Sequence, residues 1–302
     1  MKYLVTGGHG FIGRHLVAKL VSEGHEVVVV DLEGDFPPKF EYEFVYGNIA
    51  GGNFNHKIME AMDGVDTVFH LAAKARVQPS IEYPVKFNQT NVEGTLALLE
   101  MCRHQNVRRF VFSSSSSIYG DTETFPTPET APKKPLSPYG LQKLIGEQYC
   151  ELYSTIHGLE TVSLRYFNVY GEGAPTEGAY CLVMGKFIQQ TREGKNLTIY
   201  GDGEQRRDFT YVQDVVQANI LASTAEGISG EAFNIGNGDN RSINQIAEPF
   251  RKTIDYLEPR IEPKVTLADN SKAKKLLGWK PSGDVIEWLE NHLLEIGYSE
   301  QK

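Results

Sequence analysis

The chain has 302 residues, 40% of them apolar and 23% charged, which is enough for one large or two modest water-soluble domains. Thirty Lys and Arg against thirty-nine Asp and Glu leave a formal charge of −9; this argues against a nucleic-acid binder with a broad basic face, but an anionic small molecule needs only one or two placed cations. Cys102, Cys150 and Cys181 are scattered with no CxxC or Cys/His cluster, Gly7 comes too early for a secretory signal, and no apolar run approaches the ~20 residues of a membrane span. The expectation is therefore a reduced cytoplasmic enzyme with no metal, no membrane and no nucleic-acid partner.

In chain order, residues 3–5 read as a strand, Phe11–Ser22 as a helix and the four valines at 27–30 as a strand buried on both faces. Further strands are expected at 44–46, 67–71 and 110–112, separated by helical stretches such as 91–105. Buried strands alternating with helical crossovers imply an α/β fold with a doubly wound parallel sheet. After residue 168 the pattern changes, with a loop at 171–175, a helix at Val183–Arg192, a turn at 201–203, and helices at Ser271–Leu277 and 285–294. No linker or repeat intervenes, so the C-terminal part is expected to pack on the carboxyl edge of the sheet, with the ligand between the two lobes.

Thr6-Gly7-Gly8-His9-Gly10-Phe11-Ile12-Gly13 stands between the first strand and the first helix. Glycines at 7, 10 and 13 allow a tight turn, close approach of backbone to a pyrophosphate, and tight helix packing, with the helix N–H groups aimed at the phosphates. A glycine triplet alone is weak; its position is what gives it weight. Asp31 follows Gly13 by eighteen residues, at the end of the valine strand. A carboxylate there accepts both ribose hydroxyls of NAD and repels a 2′-phosphate. Arg14 leaves NADP as the alternative.

Tyr139 and Lys143 lie at i and i+4, hence on one helix face, and Ser137-Pro138 starts that helix. An adjacent ammonium is expected to stabilise the phenolate and bring a group of ordinary pKa near 10 into range as a base. The same spacing at Tyr298 and Lys302 is read as chance. Five serines, 113–117, follow a buried strand, where catalytic hydroxyls belong; a solvated loop is the alternative.

Thr6–Gly13, Asp31, His70-Leu71-Ala72-Ala73, Asn91-Val92-Glu93-Gly94-Thr95, the run 113–120, Tyr139–Lys143 and Leu164-Arg165-Tyr166-Phe167-Asn168 together resemble the extended short-chain dehydrogenase/reductase superfamily, and within it the sugar-nucleotide epimerase/dehydratase branch. The resemblance implies an NAD-binding Rossmann domain (1–168 and 209–236), a smaller C-terminal α/β nucleotide-sugar domain (169–208 and 237–302), and a catalytic triad of Ser115, Tyr139 and Lys143. It places Gly7, Gly10, Phe11, Ile12, Gly13, Asp31, Leu71, Ala72, Ala73, Asn91, Ser113, Tyr139, Lys143 and Tyr166 at the cofactor. Asn48 and Ile49 fall near the adenine, with Asn where the family usually has Asp. It further implies a homodimer through helices at about 84–105 and 139–157, with Leu96, Leu99, Leu144 and Tyr149 as seam or core.

On the substrate side the resemblance assigns Ser115 and Ser116 to the sugar, Asn168 and Arg207 to the diphosphate, Tyr200 to the nucleotide base and Arg260 to a second phosphate contact. Arg206 is the alternative to Arg207, and Arg260-Ile261-Glu262 is one residue short of the family's motif. Dehydratases and decarboxylases of the branch carry acids just after the Ser/Thr; here those positions are Ser116 and Ser117, which favours a 4-epimerase over a dehydratase, decarboxylase or 4-reductase. A non-catalytic NAD-binding regulator is the remaining alternative. Gly178-Ala179-Tyr180, Val183 and the small Thr266 resemble members that take N-acetylhexosamines, so UDP-GlcNAc/UDP-GalNAc is placed ahead of UDP-Glc/UDP-Gal.

Overall fold

The computed structural model describes residues 1–32, 41–51, 55–176, 181–260 and 262–298. Strand β1 (Lys2–Thr6) leads through the glycine turn into helix α1 (Phe11–Ser22), followed by β2 (Glu26–Asp31), β3 (Glu43–Tyr46), α2 (His56–Ala61) and β4 (Thr67–His70). Two short helices, α3 (Val77–Glu82) and α4 (Pro84–Asn88), run through a π-helical turn at Gln89–Glu93 into α5 (Gly94–His104). Next come β5 (Arg109–Ser115), α6 (Pro138–His157), β6 (Glu160–Tyr166), β7 (Val169–Tyr170), α7 (Val183–Arg192), β8 (Leu197–Tyr200), β9 (Arg206–Asp208) and β10 (Thr210–Tyr211). Finally come α8 (Val212–Thr224), β11 (Glu231–Ile235), β12 (Asn240–Ser242), α9 (Ile243–Ala247), β13 (Ile254–Leu257), α10 (Ser271–Leu277) and α11 (Val285–Glu295).

Seven strands form one sheet in the order β11-β6-β5-β4-β1-β2-β3, every pair parallel. The expected Rossmann-type doubly wound α/β sheet is present. Its strands are apolar on both faces because both faces are covered. Val27 and Val29 join Tyr3, Val5, Phe69 and Val111 against α1 and α8, while Val28 and Val30 join Leu4, Val68, Phe110 and Phe112 against α5 and α6. Burying each such side chain contributes about 1.5–3 kcal/mol. Strand β5 is longer than expected, so Ser113, Ser114 and Ser115 belong to it.

Helix α6 starts where Ser137 Oγ accepts the Gly140 N–H at 3.1 Å and stops at Gly158, whose φ of 69° suits glycine. A third cluster, including Phe187, Ile199, Phe250 and Leu289, holds α7, β8, α9 and α11 as the smaller unit. One boundary differs from the sequence reading: Ala273, Leu277 and Trp279 pack into the sheet's first core, and Trp279 Nε1 donates to Asp214 O at 2.8 Å. Residues 271–279 therefore pack with the larger unit. Of the residues expected at seam or core, Leu99 is fully buried in the second core and Leu96 and Tyr149 pack at its margin; Leu144 packs beside Ile118 and Tyr119. The exposed apolar side chains on these helices are instead Val85, Leu141, Leu152 and Ile156. Among the described residues no helix is long and apolar enough to cross a membrane, and no group of three metal-binding side chains occurs.

Candidate active site

The carboxyl ends of β1, β2, β4 and β5 converge on one edge of the sheet, and the glycine turn lies at its centre. Gly7 has φ +70°, and a Cβ there would stand 2.7 Å from Ala72 N; a Cβ on Gly13 would stand 2.1 Å from Gly7 O. Only hydrogen fits at either position. Gly10 closes the turn by donating to Gly7 O at 3.0 Å and begins α1 without a side-chain cap. The N–H groups of Phe11, Ile12 and Gly13 thus lack intrahelical acceptors and carry the positive end of the helix. This cradle fits a pyrophosphate.

At the end of β2 the Asp31 carboxylate accepts His9 N at 3.0 Å and Leu32 N at 2.7 Å. Arg14, the alternative's residue, donates to Gly10 O at 3.4 Å, and its guanidinium lies against Gly173, 3.0 Å from where a Cβ would be. Asn48 is exposed, its Oδ1 accepting Ala50 N at 2.9 Å, whereas Ile49 is buried. Leu71 N donates to Thr6 O at 3.1 Å and Ala72 N to Thr6 Oγ1 at 3.3 Å, which holds Leu71, Ala72 and Ala73 beside the glycine turn. Beneath them His70 bonds Thr6 Oγ1 at 2.8 Å and Thr95 Oγ1 at 2.9 Å. Burial drives its pKa down to about 3, so the ring is neutral. Asn91 is buried and bonds Lys74 and Gln142.

Helix α6 turns Tyr139, Lys143 and Glu147 to the sheet. Ser115, at the end of β5, hydrogen-bonds the Tyr139 phenol, and its Oγ also accepts Ser117 N at 3.2 Å and Ser117 Oγ at 3.0 Å. Lys143 Nζ donates to Ser113 O at 2.6 Å and hangs 4.9 Å over the Phe112 ring. Burial lowers its pKa to about 8. The Ser113 hydroxyl turns away to Tyr166 Oη at 3.1 Å, and Asn219 holds that phenol in turn. Burial pushes Tyr166 up to about 12. Ser114 instead donates to Glu147 at 2.5 Å, and Glu147 forms a buried ion pair with Arg165 at 2.8 Å. Arg165 NH1 donates to Tyr119 Oη at 2.7 Å, and Tyr119 to Asn234 Oδ1 at 2.7 Å. The serine run is thus divided among three tasks.

Lys143 Nζ lies 6.0 Å from the Tyr139 ring centre, beside the Ser113 carbonyl to which it donates. Burial pushes the phenol above its ordinary value, and the forces opposing that rise are the Ser115 hydrogen bond and the charge of Arg76. Sequence reasoning did not single out Arg76, although it lies three residues beyond the His70–Ala73 motif. It missed Glu147 too, although Glu147 is four residues beyond Lys143 and so on the same face.

On the far side, Asn168 takes φ +24° and donates to Asp208 O at 2.9 Å. Arg207 pairs with Glu262 at 2.7 Å, while Arg206 is bound to Asn240 at 2.7 Å and 3.0 Å. Arg260 lies 3.4 Å above the centre of the Tyr200 ring, with Lys186 5.4 Å from the same ring. Arg207, Glu262, Arg260 and Tyr200 thus lie along two neighbouring segments. Thr266 Oγ1 accepts Asp208 N at 3.1 Å and faces Asn168 Nδ2 at 3.5 Å. Val183 opens α7 and is half-buried. Ser116 begins the single helical turn after β5. Gly178, Ala179, Tyr180 and Ile261 lie outside the described residues.

A family model described as the NAD dependent epimerase/dehydratase family matches residues 3–236. A UDP-glucuronate 4-epimerase of Thermodesulfobacterium geofontis is 36% identical over 309 residues, covering 95% of this chain and 94% of its own. A crystal structure of UDP-glucose 4-epimerase from Thermotoga maritima with UDP-glucose matches with a TM-score of 0.89 at 36% identity, covering 99% of this chain and 100% of that one. The UDP-N-acetylglucosamine 4-epimerase of Methanobrevibacter ruminantium, in complex with UDP-N-acetylmuramic acid, matches with a TM-score of 0.89 at 32% identity, covering 99% of each chain.

Proposed function

The chain belongs to the NAD-dependent epimerase/dehydratase family, and from that premise we propose that it is a nucleotide-sugar 4-epimerase. Its substrates are UDP-hexoses, with UDP-GlcNAc and UDP-GalNAc ahead of UDP-Glc and UDP-Gal. The observation that carries the reading is the chemical character of the groups around the phenol. Ser115 hydrogen-bonds it and the Arg76 charge opposes the rise in its pKa, Lys143 stands beside it, and Ser116 and Ser117 follow Ser115 in the chain. These are hydroxyls and cations, suited to moving one proton, whereas elimination of water needs an added carboxylic acid and base.

NAD, held by the glycine turn and Asp31, supplies the acceptor and later the donor of hydride at C4 of the sugar. Tyr139, as phenolate, accepts the proton of the 4-hydroxyl, and Ser115 aligns that hydroxyl. Once the 4-keto sugar has turned over, the same phenol returns the proton as hydride comes back on the other face. Asn168, Arg207, Arg260 and Tyr200 hold the UDP portion; a bidentate guanidinium suits the diphosphate. Ser116 and Val183 line the sugar, and Thr266 leaves space for an acetamido group. In this reading 1–168 and 209–236 bind cofactor, while 169–208 and most of 237–302 bind substrate. The exposed Val85 on α4 and Leu141, Leu152 and Ile156 on α6 support a homodimer through these helices, and the buried thiols Cys102 and Cys150 fit the cytoplasm.

The test is product analysis. Purified protein incubated with UDP-GlcNAc or UDP-glucose should yield the 4-epimer at unchanged mass, and Tyr139→Phe should lower turnover about 100- to 10,000-fold with NAD binding intact. A product that has lost water, or steady accumulation of NADH, overturns the reading. Turnover of UDP-glucose alone would remove the acetamido preference.

A further inference from the structure

From the reacting serine a series of contacts leads outward into the smaller unit. Ser115 pairs with Tyr166 across β5 and β6, and two residues beyond Tyr166 the Asn168 amide donates to Asp208 O at 2.9 Å and faces Thr266 Oγ1 at 3.5 Å. Arg207, next to Asp208 on β9, pairs with Glu262 at 2.7 Å. Beside it Arg206 N donates to Lys264 O at 2.9 Å and Thr266 N to Arg206 O at 3.0 Å. Along the chain Thr266, Glu262 and Arg260 therefore meet Asn168, Arg207 and Tyr200 in turn. At the last step the Arg260 Cζ stands 3.4 Å over the centre of the Tyr200 ring. The guanidinium has to lie flat there, since turned edge-on it would drive nitrogens bonded roughly 1.3 Å from Cζ into the ring. A delocalised cation flat on an aromatic face is an arrangement that arginine forms and a compact ammonium does not.

Resting on the reading of a UDP-sugar substrate, we propose that Arg260 recognises the nucleobase and not a phosphate: its guanidinium, backed by Tyr200, is the plane on which the base stacks. A nucleotide sugar has its parts in fixed order, sugar, diphosphate, ribose and base. The contacts run in the same order, with Asn168 and Thr266 nearest the reacting end, the Arg207 cation next and the flat Tyr200–Arg260 pair last. The two arginines also differ in what they present. A phosphate takes N–H groups aimed at its oxygens, and Arg207 already aims its NH2 at an anion, the Glu262 carboxylate. A base takes a face, and aromatic rings and guanidinium planes are the faces that bases stack on. Flat on Tyr200, the exposed Arg260 turns its N–H edge sideways and its free face outward. Lys186 of α7, 5.4 Å from the same ring, adds a second positive charge at this end, where the diphosphate adjoins the ribose.

The experiment titrates NAD-loaded wild type, Arg260→Ala, Arg260→Lys, Tyr200→Leu and the double variant Arg260→Ala/Tyr200→Leu with UMP, UDP and inorganic pyrophosphate by calorimetry; loading with NAD keeps the probes out of the glycine cradle. Arg260→Ala should weaken UMP and UDP alike, each about tenfold, and leave pyrophosphate unchanged, because the lost contact is at the base. Arg260→Lys keeps the charge without the plane and should lose about as much as Arg260→Ala. The double variant should bind UMP about as weakly as the weaker single variant, since both changes dismantle one stack. Arg260 is exposed, so its variants should keep the wild-type Tm. A greater loss for UDP than for UMP, a loss for pyrophosphate, rescue by Arg260→Lys, or losses that multiply in the double variant overturns the proposal. If NAD-loaded wild type binds neither UMP nor UDP, the reading of a UDP-sugar substrate falls and this assignment with it; if wild type binds UDP and Arg260→Ala binds it equally well, only the role of Arg260 falls.

Discussion

Asn91 grips the backbone of Lys74 from both sides: its Oδ1 accepts the Lys74 N–H and its Nδ2 donates to the Lys74 carbonyl, both at 2.8 Å. The amide also donates to Gln142 Oε1 at 2.9 Å, so one side chain ties the β4–α3 segment to α6. Asn91→Ala leaves buried partners unpaired and should cost about 1–3 kcal/mol. Its Tm should fall and purified protein should retain less NAD. Unchanged Tm and NAD content would show that the clamp carries no weight.

Gly13→Ala tests the cradle. The added Cβ would meet the Gly7 carbonyl oxygen at 2.1 Å and Gly8 Cα at 2.7 Å, all backbone, so α1 has to shift away from the turn. A loss of about 1–3 kcal/mol in stability is expected, with weaker NAD binding by fluorescence titration. Gly10→Ala, whose Cβ meets only Gly7 O at 3.1 Å, should be milder in stability. Equal NAD affinity in Gly13→Ala and wild type would contradict the placement of the pyrophosphate.

His70 gives the protein an acid limb of stability. In the folded chain burial holds its pKa at about 3, below the ordinary 6.5, so below pH 6.5 the unfolded chain binds a proton that the folded chain does not. Stability from this group is complete above about pH 6.5 and is lost as pH falls toward 3, at about 1.4 kcal/mol per pH unit. Denaturant titrations at pH 7 and pH 5 should show wild type losing about 2 kcal/mol more than His70→Gln. Parallel losses in the two proteins would mean that the imidazole is not kept neutral.

Arg207 and Glu262 are paired at 2.7 Å, with the guanidinium largely buried and the carboxylate more open. Arg207→Ala should reduce kcat/KM for a UDP-sugar about 10- to 100-fold, mostly through KM, as one charge-assisted contact is removed. Arg206, bound to Asn240, should affect stability more than KM when changed to Ala. The reverse pattern would exchange the two roles.

The glycine turn and the Tyr139–Lys143 pair were legible in the chain because both depend on local geometry. A turn between a strand and a helix needs glycine at set offsets, and two side chains four apart on a helix share a face whatever lies around them. The alternation of Val27 to Val30 likewise determined two cores on opposite faces of one sheet. Contacts made over long separations were decided by the tertiary structure. Asn91 meets Lys74 through a π-helical turn, Glu147 meets Arg165 across two elements, Ser80 of α3 takes the Tyr139 N–H of α6, and Leu99, seam or core from the sequence, faces the core. Packing decides such contacts because burial compels each polar group to find whichever partner the assembled elements bring near, and no spacing along the chain records which partner that is.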